Sequence, residues 1–286
     1  MQRTMALSAL LIGASLNVAS AADLPYKAPP PPPPPILSWT GCYVDAGVGY
    51  GLWRQDHTTT TVFGLNGVPT IATTVPQDDG GRGWLGRFGA GCDYQAGRFV
   101  IGVFGDYDAM SLTGTNSPLE VGGNPVFAGN FPLLANEKES GAWSIGGRIG
   151  YLVAPSVLTY VNAGYTRTRF DAQAFINNLG IPSGTVAGFQ TGYTAQTYNG
   201  WFLGGGVETS LAGWVPGLPS GLFLRTEYRY SDYSRVDLTE IILATGAPVV
   251  NGAGGNNIEH TRPYVETVTT SVVWKFNWGG PVAARY

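Results

Sequence analysis

The chain has 286 residues, only 12% of them charged, and a net charge of −3 from 16 basic and 19 acidic residues. That balance excludes the basic surface a nucleic-acid partner needs. Two histidines, His57 and His260, and two cysteines, Cys42 and Cys92, leave little for a metal centre or cofactor and allow at most one internal disulfide. Glycine is abundant at 42 copies and mean hydropathy is +0.03, so the apolar residues must be concentrated on a face rather than in one long span.

The first residues carry Arg3, an apolar stretch over Met5–Val18 and the small-residue run Ala19-Ser20-Ala21. This is the layout of a secretory signal peptide over 1–21, with cleavage after Ala21. The stretch is short beside the about 20 residues of a membrane helix, and an uncleaved anchor is the alternative. Removing 1–21 leaves a net charge of 15 − 19 = −4. Residues 22–38 form a spacer containing Pro29–Pro35. In polyproline II those prolines would span roughly 22 Å, as a stiff periplasmic spacer or as a ligand for a recognition domain.

Eight segments with period-two patterning follow: 41–53, 82–95, 98–109, 142–152, 157–169, 198–210, 221–233 and 264–276. The connections after the second, fourth and sixth are short: Ala96-Gly97, the region of Ala154-Pro155, and Leu211–Ser220. The others, 54–81, 110–141, 170–197 and 234–263, are long and rich in Thr, Asn, Gly and Pro. Tight turns on one rim and long loops on the other predict an all-β fold, an eight-stranded antiparallel up-and-down transmembrane barrel over 39–278 with periplasmic termini and a tail over 279–286.

The two faces separate by parity. In the first strand Cys42, Val44, Ala46, Val48, Tyr50 and Leu52 oppose Tyr43, Asp45, Gly47, Gly49 and Gly51. In the last, Val268, Val272, Trp274 and Phe276 oppose Thr267, Thr269, Ser271 and Lys275. One face is apolar with aromatics near its ends, and the other mixes glycine with charge. A soluble barrel would turn the apolar face inward, but the charged face here is too small and glycine-rich to be an outer wall. Apolar side chains therefore face lipid, and glycines fit the crowded lumen. The fifth strand joins this pattern only if an odd-length turn follows Val153.

A turn at Ala96-Gly97 pairs Tyr94 with Phe99, Cys92 with Ile101 and Arg87 with Asp106. The charges placed inside are Asp45, Arg87, Asp93, Asp106, Asp108, Arg148, Glu208, Arg225, Glu227, Arg229 and Lys275. They form either a salt-bridge plug or the lining of a narrow ion path, since unpaired charge in so narrow a lumen is costly. Cys42 and Cys92 fall at the short-turn rim on the outward face. They are either a cross-strand disulfide or two small lipid-facing hydrophobes. His57 and His260 sit in long loops and read as solvated. Of a histidine–carboxylate pair for lipid chemistry, only His260 with Glu266 can be nominated. Gly204-Gly205-Gly206 lies in a strand with no helix after it, which excludes a phosphate-binding loop.

Trp39-Thr40-Gly41-Cys42-Tyr43-Val44, Gly91-Cys92-Asp93-Tyr94-Gln95, Gly147-Arg148-Ile149-Gly150-Tyr151 and Lys275-Phe276-Asn277-Trp278 carry a family likeness. Over residues 39–286 the chain resembles the small alphaproteobacterial outer-membrane barrels, the "porin family" or surface-antigen proteins with an outer-membrane protein A-like barrel. The resemblance implies a Gram-negative outer-membrane protein with a structural, envelope-integrity role and loops exposed to a host. It brings no catalytic residues or cofactor. The expected partners are outer-membrane lipid and lipopolysaccharide, the barrel assembly machinery, and a host or cell-surface ligand at the loops. A narrow channel and a lipid-modifying enzyme are the rivals. The family usually ends on phenylalanine, whereas here Phe276 is followed by ten residues ending in Tyr286, so either aromatic could serve as the assembly signal.

Overall fold

The structure is a computed structural model that describes residues 37–63, 71–72, 74–118, 127–128, 131–186, 188–212, 214–215, 217–250 and 255–276. The signal peptide over 1–21, the proline run and the tail over 279–286 with Tyr286 lie outside the described residues. All regular structure among them is strand. The eight main strands are β1 (Gly41–Phe63), β2 (Gln77–Ala96), β3 (Phe99–Asn116), β4 (Phe131–Ala154), β5 (Val157–Phe170), β6 (Gln196–Ser210), β7 (Leu222–Tyr233) and β8 (Gly255–Phe276). Each pairs antiparallel with its chain neighbours, and β1 with β8 closes the ring.

The alternation of the faces follows from the strand pleat. Outward Val48, Trp84, Phe88 and Val103 are 60–70% exposed, while inward Tyr43, Leu158, Phe202 and Val273 are buried. Aromatics edge the outward band at both levels. Phe99 with Tyr151 and Trp274 with Phe276 lie at the short-turn side, at 5.3 and 5.8 Å between centroids. Tyr50 with Trp84 and Trp143 with Tyr165 form the opposite girdle, at 5.3 and 5.4 Å.

Three expectations are corrected. First, the strands do not stop at the apolar band. β1, β4 and β8 run for 23, 24 and 22 residues, so much of 54–81, 110–141 and 234–263 is wall rather than loop. At about 3.3 Å per residue and a tilt near 40°, 23 residues rise roughly 58 Å, about twice a 25 Å apolar band. The outward face only changes character past the girdle, from Leu52 to Arg54, Asp56 and Thr58.

Second, the hairpin of β2 and β3 turns at Gly97-Arg98, with Ala96 opposite Phe99. Gly97 takes φ +62°, the left-handed region a two-residue hairpin turn demands and glycine supplies without strain. The register moves by two, so both faces are preserved, but Arg87 stands opposite Asp108 and not Asp106. Third, β4 and β5 join by a two-residue turn rather than an odd one. The odd residue sits inside the strand, where the register shifts between Leu152 and Ala154.

The interior is layered. Near the short turns Trp39, Tyr43, Val100, Leu158, Phe223 and Val273 pack together. Trp53, Leu112, Phe170, Tyr198 and Tyr233 form a middle layer. At the far end of the long strands, Leu133 and Ala135 of β4 pack with Phe175, Tyr193 and Leu238. Phe175 comes from the short strand Gln173–Asn177, which pairs with β4, and Tyr193 from Thr191–Tyr193, which pairs with Gln173–Asn177.

Candidate functional site: the luminal charges

The eleven charged residues assigned to the lumen all point inward, and each has an opposite-charge partner. Arg87 spans Asp108 at 2.6 Å and Glu227 at 2.8 Å. Arg229 spans Asp106 and Glu227, both at 2.8 Å. Arg225 spans Asp45 and Glu208, both at 3.0 Å. Arg148 holds Asp93 and, at 3.0 Å, Glu208. Lys275 lies 2.8 Å from Asp93 and 3.0 Å from Glu208. Tyr160 and Asn162 donate to the other Glu227 oxygen at 2.8 and 2.7 Å.

The barrel is cut to fit this lattice. Arg148 and Arg225 both stack on the Tyr43 ring, at 4.8 and 4.6 Å from its centroid. A Cβ at Gly89 would come within 2.8 Å of the Asp45 carboxylate, and one at Gly91 within 2.5 Å of the Tyr43 hydroxyl. The cavity left among these side chains is about 10 Å³. A single water needs about that much.

Past the girdle opposite the short turns lies a second polar cluster. His57 is 6% exposed inside the extended barrel, which corrects its reading as a solvated loop residue. Its Nε2 lies 3.0 Å from Asp79 and its Nδ1 3.5 Å from Glu259. Asn116 donates to both Glu259 oxygens at 3.4–3.5 Å. Glu137 is 1% exposed, and neither of its oxygens accepts a hydrogen bond. Glu139, fully buried, accepts from Thr168 at 2.6 Å.

Burial works against a charge on His57, yet the contacts to Asp79 and Glu259 outweigh it and raise its pKa to about 10. Burial, reinforced by the charge on Glu259, raises Glu137 to about 8. Burial likewise raises Glu139 to about 8, against the Thr168 hydrogen bond. A parity count carried past residue 53 finds this cluster, because Gln55 and His57 keep the phase of Tyr43, and Glu259 that of Lys275.

His260 is not joined to Glu266. Its Nδ1 lies 2.6 Å from Asp237 and its Nε2 2.8 Å from the Thr60 hydroxyl. Glu266 instead accepts from Tyr228 at 3.1 Å. At the short-turn rim Cys42 and Cys92 are direct register partners, with Cα atoms 3.9 Å apart, and their sulfurs are bonded. Among the described residues, no group of three His, Cys, Asp or Glu side chains is arranged to hold a metal.

Residues 7–276 match a family described as the outer membrane protein beta-barrel domain. Similar solved structures include the outer membrane protein OprG from Pseudomonas aeruginosa, at 12% identity and TM-score 0.46, covering 84% of this chain and 100% of that one. The outer membrane protease OmpT from Escherichia coli is 12% identical at TM-score 0.39, covering 84% and 99%. The attachment invasion locus protein Ail of Yersinia pestis is 9% identical at TM-score 0.33, covering 82% and 99%. No curated protein matches the chain.

Proposed function

The chain belongs to the outer membrane protein beta-barrel family and resides in the outer membrane, and from that premise we propose a sealed barrel with a structural, envelope-integrity role. In this reading the short turns and termini are periplasmic. The extended rim and its connections project outward for host or cell-surface contact, as in the surface-antigen branch the sequence resembles. The observation that carries the reading is the packed charge lattice, which leaves a cavity of only about 10 Å³. An ion path needs continuous water, and two apolar layers lie farther along the same lumen. We also propose that the protein is not an enzyme. The His260–Glu266 pair nominated for lipid chemistry is not formed: His260 lies against Asp237 and the Thr60 hydroxyl, and Glu266 accepts from Tyr228.

Planar-bilayer recording of the refolded barrel tests this directly. The expected result is no stable step of conductance. A reproducible, charge-selective conductance would replace the plug with a channel.

A further inference from the structure

Just past the girdle, the outer wall between β3 and β5 is irregular. The register of β4 shifts against β3 between Ala109 and Leu112, and against β5 between Glu139 and Gly141, so both irregularities meet at Ser140. They open a groove of about 240 Å³ lined by Tyr107, Gly141, Trp143, Arg167, Arg169 and Thr197. Gly141 clears its floor: a Cβ there would lie 2.7 Å from the Tyr107 hydroxyl.

Strand pairing sets Arg167 beside Trp143 and Arg169 beside Gly141. Both arginines are exposed, and no ion pair holds either of them among the described residues. Arg262, by contrast, is clamped by both Asp232 oxygens at 2.8 Å. No carboxylate lines the groove. Lys138 adds a third outward cation, its neighbours Glu137 and Glu139 being turned inside.

Unpaired guanidinium groups beside tyrosine and tryptophan, at the level where acyl chains give way to headgroups, suit a phosphate ester on an amphiphile. The guanidinium fork matches phosphate oxygens two at a time, and the rings sit naturally at the lipid–water boundary. We propose that this groove binds the phosphate of a phosphorylated glycolipid of the outer leaflet. Arg167 and Arg169 grip the phosphate while Tyr107 and Trp143 cover the adjoining sugar or first acyl carbons. The proposal rests on the extended rim facing outward, as argued above.

The test uses the full refolded chain in detergent, titrated with lipid A carrying its phosphates, dephosphorylated lipid A, and phosphatidylglycerol. R167Q/R169Q should weaken binding of the phosphorylated lipid by about tenfold or more, as expected for losing charged hydrogen bonds. R82Q, an exposed arginine on β2 outside the groove, should bind like the parent. The dephosphorylated lipid should bind parent and double variant alike, and weakly. Equal binding of phosphorylated lipid A by the double variant and the parent would overturn the site, and phosphatidylglycerol binding as tightly would overturn the glycolipid. Protease treatment of intact cells gives a separate readout of orientation. If the segment over 171–195 is protected there, the outward placement fails whatever the titration shows.

Discussion

Below the outer girdle, five cations (Arg87, Arg148, Arg225, Arg229 and Lys275) interlock with six carboxylates (Asp45, Asp93, Asp106, Asp108, Glu208 and Glu227). Above it, the His57 imidazole pairs with Asp79 and Glu259, while the buried Glu137 and Glu139 have no ion-pair partner among the described residues. The lower layer satisfies charge by pairing it. The upper layer satisfies it by holding protons, with Glu137 and Glu139 raised to about 8. One lumen thus carries a lattice of closed ion pairs and a cluster that titrates.

The sharpest way to break this contrast is R148M. It strands Asp93 and Glu208 with Lys275 as their remaining shared partner, besides Arg225 on Glu208, and should cost about 3–5 kcal/mol of stability, read as a lower urea midpoint of the refolded barrel. A loss below about 1 kcal/mol would show that the lattice is not what holds this layer.

The upper layer should respond to pH instead. His57 has a folded pKa raised above its unfolded one, so its stabilisation is complete below about 6.5 and is lost as pH rises through about 10. H57Q should therefore cost on the order of 3 kcal/mol at pH 6 and little at pH 10, measured by urea titration at each pH. Glu137 is an acid with a raised pKa: it costs nothing below about 4.5, and its penalty grows until pH exceeds about 8. E137Q should thus stabilise the barrel at pH 9 by on the order of 2 kcal/mol and leave pH 4 unchanged. A pH-independent effect of E137Q would assign Glu137 to packing alone. At the bottom of the scale, the exposed substitution R82Q should shift stability by no more than about 0.5 kcal/mol at any pH.

Much of this molecule is legible in the pleat. Alternation along 41–53 and 264–276 separates Tyr43, Asp45 and Lys275 from Val44, Val48 and Trp274, and the structure keeps those faces. What alternation cannot fix is a shift of two, because it leaves every side chain on its own face. The conformation of Gly97 decides that Arg87 meets Asp108. Strand length was hidden for a related reason. Past Leu52 the outward positions become Arg54, Asp56 and Thr58, so the apolar signal ends while the hydrogen-bond ladder continues to Phe63. His57 looked like a loop residue because its outward neighbours are polar, although its own phase is that of the buried face. The groove at Ser140 had no signature at all, since a register irregularity on both sides of one strand depends on two neighbours that are distant in sequence.

Every ladder of the ring but one joins strands that follow each other in the chain. The exception is the seam of β1 with β8, which runs from Cys42 opposite Phe276 to Phe63 opposite Gly255. Seven strands can accumulate as successive hairpins, yet until the eighth docks, the growing sheet presents two raw edges, each a template for a foreign strand. Closing them requires the first strand to wait for residues some two hundred positions away, the slowest kind of contact to form. Phe276, outward and stacked on Trp274, stands at the C-terminal end of that last strand, opposite Cys42. The register therefore makes the seam the one long-range closure of the ring and the contact that removes both raw edges at once.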